Sequence, residues 1–266
     1  MTAFAVPTVR QRLWLWGHEA GSHDQGYDLP RTSRITPAEG AGYLGLRNLI
    51  MVRYEGRPAP PFAQYAVPFR PLDQLVWSVV GAGGATGAEE RDQVLSLART
   101  MPNLTGVMMD DFFHAPTAGD EVGVLSLADL RQLRQRLGRL ALWVVLYDYQ
   151  LDLPVRDHLA LCDRVTFWTW EAPRLERLEA HLDRAEALAP AGSLVLGCYL
   201  WDYGRRAPMP LAAHQRQCEL GLQWLQQGRI QGLIFLASCI ADLDLDTVEW
   251  TREWIAAVGD QPLAIG

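Results

Sequence analysis

The chain contains no lysine: all 24 of its basic residues are arginine. Chemistry that starts from a Schiff base on a lysine amine is therefore closed to it, which removes lysine-dependent aldolases and pyridoxal-phosphate enzymes. Long hydrophobic runs are missing too. No stretch approaches the ~20 apolar residues a membrane span needs, and Met1 to Trp16 lacks a basic segment followed by an apolar one, so neither an anchor nor a secretory leader is expected. Cysteine is scarce. The four present (Cys162, Cys198, Cys218, Cys239) lack zinc-type spacing and read as reduced, mostly buried thiols of a cytoplasmic protein. Positive charge is not in excess: a net charge of −7 argues against nucleic acid and against an anionic membrane surface as partners. Nothing in the composition fixes an oligomeric state.

What is present is an alternation. Strand-like runs begin near Arg12 (RLWLWGH), Asn48 (NLIMVRY), Gln74 (QLVWSVV), Leu104 (LTGVMMDD), Leu142 (LWVVLYDY), Arg164 (RVTFWTW), Ser193 (SLVLGCYLW) and Gln231 (QGLIFLAS). Most are apolar on both faces, as parallel strands must be when helices cover one side and a core fills the other. Helical spacing separates them, as in Leu127, Leu130, Leu133, Leu137 and Leu140, or Leu175, Leu178, Leu182 and Leu188. Thr36-Pro37-Ala38-Glu39 has the form of a capping box with proline at the first helical position, and Asp246 with Glu249 is a weaker version. The second helix, around Pro60 to Leu72, carries four prolines and is expected to be short or irregular. An open doubly wound sheet is the alternative, but eight βα units in 266 residues favour closure, since one-domain α/β barrels run to about 250 residues. The prediction is an α/β protein, a single (β/α)8 TIM barrel occupying residues 1–266.

Strand-to-helix connections are the long ones, notably Gly17 to Ile35 and Phe112 to Leu125, whereas helix-to-strand connections such as Met101 to Leu104 are tight. In a barrel the former lie at the C-terminal face, where active sites are built. The strand ends carry acids interleaved with large aromatics: Asp110-Asp111, Tyr147-Asp148-Tyr149, Trp168-Thr169-Trp170-Glu171 and Tyr199-Leu200-Trp201-Asp202-Tyr203. A glycosidase needs two carboxyl groups at one bond, and apolar rings both raise the pKa of the acid and offer flat platforms to sugars. The candidate catalytic residues are Asp110, Asp111, Glu171 and Asp202. Trp16, His18, Arg53, Tyr147, Trp168, Trp170, Tyr199 and Trp201 are candidates for holding a carbohydrate. Pleat alternation puts Asp110 on the face of Gly106 and Met108, so Asp110 is expected inward and Asp111 away or into the loop, with Glu171 as first partner. Trp14 and Trp143 read as core, and Trp250 and Trp254 as part of the last helix. The glycine-rich segment Gly81 to Gly87 lacks nucleotide-loop spacing and reads as a flexible loop.

Through GVMMDDFF, TFWTWE and GCYLWDYG the chain resembles the broad superfamily of barrel glycoside hydrolases. It has neither a chitinase-like DxxDxDxE run nor an Asn-Glu pair on strand four. The resemblance implies a barrel fold and a carbohydrate substrate class and assigns no specific reaction; the reading adopted is a glycosidase acting on a small carbohydrate or glycoside, with no cofactor and no metal expected. Two alternatives stand beside it. One is a metal-dependent sugar isomerase or epimerase drawing on His18, Glu19, His23, Asp24, Asp110, Asp111 and His114. The other is a sugar-binding barrel without a working acid pair.

Overall fold

The computed structural model describes residues 6–116 and 121–263. Residues 117–120, within the predicted connection Phe112 to Leu125, lie outside the described residues, as do the first five of the segment read for a leader. Eight parallel strands close into a barrel. They are β1 (Leu13–Gly17), β2 (Asn48–Met51), β3 (Gln74–Val80), β4 (Leu104–Met109), β5 (Ala141–Tyr147), β6 (Arg164–Trp168), β7 (Leu194–Tyr199) and β8 (Leu233–Leu236). Each pairs with its sequence neighbours, and β8 closes the ring on β1 with Trp16 opposite Leu236. The helices are α1 (Pro37–Tyr43), α2 (Phe62–Tyr65), α3 (Ala88–Leu97), α4 (Leu127–Arg136), α5 (Arg156–Leu159), α6 (Leu178–Leu188), α7 (Leu211–Gln226) and α8 (Asp246–Val258). Among the described residues, no helix is long and apolar enough to cross a membrane. All four cysteines are buried and reduced.

Local signals behave as their chemistry dictates, with one exception. At α1, Thr36 N–H donates to Glu39 Oε2 at 2.8 Å and Glu39 N–H donates to Thr36 Oγ1 at 3.3 Å, a complete capping box. Proline-rich α2 is a single turn followed by a 3₁₀ turn, Val67–Phe69, because Pro61 and Pro68 have no N–H to donate. The weaker box at Asp246 does not form: Leu245 occupies the cap position and Asp246 is already the first helical residue. Glu249 instead accepts from the Tyr43 hydroxyl and from Arg252 Nε.

Inside the barrel the inward side chains stack in layers, as the two-residue strand period requires. Trp14 and Trp143 meet edge to face at 5.1 Å at the lower level. One layer up, Trp16 and Trp168 meet in the same way at 5.3 Å. Trp168 lies so close to β7 that a Cβ on Gly197 would come within 2.1 Å of its ring. Gly197→Ala is therefore expected to destabilise the fold by about 1–3 kcal/mol, because neither the strand nor the indole can yield. Thermal or urea unfolding measures this, and an unchanged midpoint would contradict the packing described.

Candidate active site

At the C-terminal end of the barrel the aromatic layers open into a narrow pocket of about 70 Å³. Its floor is Trp16, Val145, Trp168 and Leu236. Its walls are His18, Asp110, Tyr147, Trp170 and Tyr199, with Tyr27, Tyr54 and Tyr203 closing one side.

Asp110 is the inward residue that alternation predicts, 5% exposed at the top of β4. Asp111 does not follow the alternation. Its φ of 44° is left-handed, a conformation asparagine and aspartate tolerate better than most residues, and the turn brings its carboxylate back into the pocket beside Asp110. Both its oxygens accept hydrogen bonds: Oδ1 from the Tyr147 hydroxyl and Oδ2 from Gly83 N–H, each at 2.7 Å. The glycine-rich segment is therefore neither a phosphate cradle nor a free loop. Its backbone holds a carboxylate. Burial, and next the charge of Asp111, push the Asp110 pKa well above the ordinary carboxylate range. The Asp111 N–H donated to Asp110 Oδ1 at 2.9 Å opposes this only in part.

The imidazoles are set to be neutral. His18 donates through Nδ1 to Val52 O at 2.9 Å, and its Nε2 accepts from Trp16 Nε1–H at 3.1 Å. Burial lowers its pKa to about 4. His23 is buried against Tyr203, with Nδ1 3.1 Å from the phenol oxygen, and its pKa is lowered by burial and then by His18. With both ring nitrogens engaged, His18 has no lone pair to offer a metal. Asp24 is also committed, accepting from Ser33 N–H at 2.8 Å, and His114 is exposed outside the pocket. Among the described residues, no three His, Cys, Asp or Glu side chains are placed to share a metal ion.

Of the twelve expected site residues, eight converge here: Asp110, Asp111, Trp16, His18, Tyr147, Trp168, Trp170 and Tyr199. Four do not. Arg53 turns outward to pair with Glu90 on α3, and it donates to Pro58 O at 3.1 Å and Gly56 O at 2.8 Å, pinning the loop after β2. Glu171 falls on the opposite parity from Trp168 and Trp170, so it begins the 3₁₀ turn Ala172–Arg177 outside the pocket. Asp202 is buried behind that turn, accepting from Ala172 N–H and Arg205 N–H at 3.1 Å each, a clamp between two loops. Trp201 reaches the site only indirectly, its Nε1–H donating to Tyr27 O at 2.9 Å. Tyr27, Tyr54 and Tyr203 were not expected at the pocket. They sit on loops and turns, where side-chain direction follows no period. The length of the Gly17 to Ile35 connection was the only sign of Tyr27.

No protein-family model matches the chain, and no curated protein matches its sequence. Solved structures share its fold. The spore cortex-lytic enzyme SleL of Bacillus megaterium QM B1551 aligns with a TM-score of 0.59 at 13% identity, over 99% of this chain and 77% of that one. A GH18 chitinase from Pseudoalteromonas aurantia gives 0.56 at 12% identity, over 91% of this chain and 99% of that one. A putative 2-pyrone-4,6-dicarboxylic acid hydrolase from Pseudomonas putida gives 0.54 at 10% identity, over 92% and 90%. At such identities the likeness is one of fold alone: a single (β/α)8 barrel, shared with glycoside hydrolases and with a barrel hydrolase of another kind.

Proposed function

We infer that the chain is a glycoside hydrolase acting on a small carbohydrate or glycoside, with Asp110 as the proton donor. The observation that carries this is the placing of Asp110, a buried carboxyl group beside Asp111 inside an aromatic pocket at the C-terminal end of a barrel, where burial and the Asp111 charge raise its affinity for a proton. The half-buried ring of Trp170 gives an apolar face to sugar C–H surfaces beside the buried rings of Trp168 and Tyr199, and the tyrosine hydroxyls give hydrogen bonds to sugar hydroxyls.

In the proposed reaction the glycosidic C–O bond breaks as its oxygen takes the proton of Asp110. Water adds to the anomeric carbon and returns a proton to the Asp110 carboxylate. The adjacent Asp111 carboxylate, oriented by Tyr147 and Gly83, offsets the positive charge that develops on the sugar ring.

The test is hydrolysis of a glycoside panel by the purified protein, with chelator present and absent. Chitooligosaccharides come first, because GH18 chitinases are among the fold neighbours. Turnover that survives chelation supports the proposal. Sugar binding without turnover across the panel would replace it with the sugar-binding barrel, and turnover abolished by chelation would replace it with a metal enzyme. Tyr147→Phe removes one donor from Asp111. It is expected to lower kcat about 10- to 100-fold, in line with losing one preorganised donor, with a smaller change in KM and a protein that still unfolds cooperatively.

A further inference from the structure

Most tyrosines near the pocket face inward, but Tyr149 does not. It is 52% exposed, one of four large hydrophobic side chains that the fold leaves open to solvent among the described residues. Single exposed rings are ordinary. What sets this one apart is its orientation and what holds it. The ring lies parallel to that of Tyr147, 5.2 Å between centroids at 7°, and Tyr147 lies edge to face with Trp170 at 5.7 Å. Tyr147 is the pocket wall whose hydroxyl binds Asp111. The stack thus runs from the buried wall residue Tyr147 to the solvent-exposed ring of Tyr149. Proximity shows in its phenol as well, which is pushed up to about 12 by partial burial and then by Asp111, Asp148 and Asp110.

The residues on either side are fixed. Asp148 has a fully buried carboxylate that accepts from Arg174 Nε and from Trp170 N–H at 3.2 Å. Gln150 is 3% exposed, accepting from Tyr147 N–H at 2.9 Å and donating to Phe113 O at 2.7 Å. A half-exposed arginine paired with a buried carboxylate, and two buried amide hydrogen bonds, hold a 3₁₀ turn, Asp148–Gln150, whose middle residue is an exposed ring. Preorganisation of this kind lowers the entropy lost on binding.

Resting on the hydrolase function proposed above, we propose that Tyr149 is the platform of a leaving-group subsite, where a pyranose ring of the substrate lies flat on the phenol while the sugar being cleaved occupies the pocket. The pocket itself, at about 70 Å³, is far below the roughly 300–1,000 Å³ of typical ligand sites. A pocket of that size does not enclose two rings, so the second ring of a disaccharide lies outside it, where Tyr149 is the exposed ring beside the wall residue Tyr147. The protein would then prefer oligosaccharides to glycosides with a small leaving group, and release one residue at a time.

The experiment compares wild type, Tyr149→Ala and Tyr149→Phe on N,N′-diacetylchitobiose and on N-acetylglucosaminyl fluoride, or on the corresponding pair for whichever glycoside the wild type cleaves. The readout is the ratio of the two kcat/KM values. Tyr149→Ala is expected to lower the disaccharide-to-fluoride ratio about tenfold, and Tyr149→Phe to keep it, since the ring face does the binding. A ratio unmoved in Tyr149→Ala, or lost equally in Tyr149→Phe, overturns the subsite while leaving the hydrolase function standing. A wild type that cleaves neither but binds the disaccharide more tightly than the monosaccharide is read by dissociation constants with the same expectations. A wild type that neither cleaves nor binds any sugar overturns both proposals.

Discussion

Asp110→Asn is expected to lower kcat by about 100- to 10,000-fold, the usual contribution of a general acid, while sugar binding is retained. The amide keeps the shape of the carboxyl group, and its Oδ1 can still accept from Asp111 N–H. What it lacks is a proton to give. The same substitution should raise stability at neutral pH. Asp110 has a native pKa above its unfolded value, so the folded state binds more protons across the interval between the two. Stability from this group is fully present below the unfolded pKa and is lost as pH rises through the raised one. An uncharged side chain at this position escapes that loss. A less active but more thermally stable variant is therefore the expected outcome, measured by kcat, sugar binding and the unfolding midpoint at neutral pH. Unchanged turnover would remove Asp110 from the mechanism. A lowered midpoint would mean that its carboxyl group does not carry the raised proton affinity described.

The second large effect is expected at Asp111. Asp111→Asn removes a charge and leaves one of two donors badly served. Asparagine presents a single acceptor oxygen, whereas Tyr147 and Gly83 each bond to a different oxygen of the aspartate. A loss of about 100-fold or more in kcat is expected, in line with removing a preorganised electrostatic contact. The pH profile separates this from general damage. In the wild type, activity should fall on the alkaline side as Asp110 gives up its proton, with that limb displaced well above the ordinary carboxylate range. Asp111 is the second cause of the displacement after burial, so Asp111→Asn should move the limb toward acid. A limb that stays in place, or moves toward alkali, would show that Asp111 does not act on Asp110 through its charge.

The fold was legible at the level of elements because a barrel repeats two simple periods. Strands apolar on both faces alternate with helices apolar on one, and eight repeats in a chain of this length leave one compact way to bury them. The inward direction of Asp110 was legible for the same reason, as was the placing of Trp14 and Trp143 in the core. Prediction weakened wherever the backbone left a regular period. Asp111 belongs to the pocket because of one left-handed residue. Glu171 misses it by one step of parity after Trp170, and Arg53 misses it because Glu90, 37 positions later, supplies a buried partner.

From the sequence alone came the architecture, the face that carries the site, the absence of lysine chemistry, and Asp110 with its aromatic neighbours. The tertiary structure alone brought the Asp111 carboxylate into the pocket beside Asp110, gave it a glycine-rich loop and Tyr147 as partners, and set Asp202 and Asp148 to brace loops. The physical reason is range. Periodicity and composition act over a few residues along the chain, whereas a carboxylate's state depends on the charges, donors and apolar rings brought within a few ångströms of it by closure of the barrel.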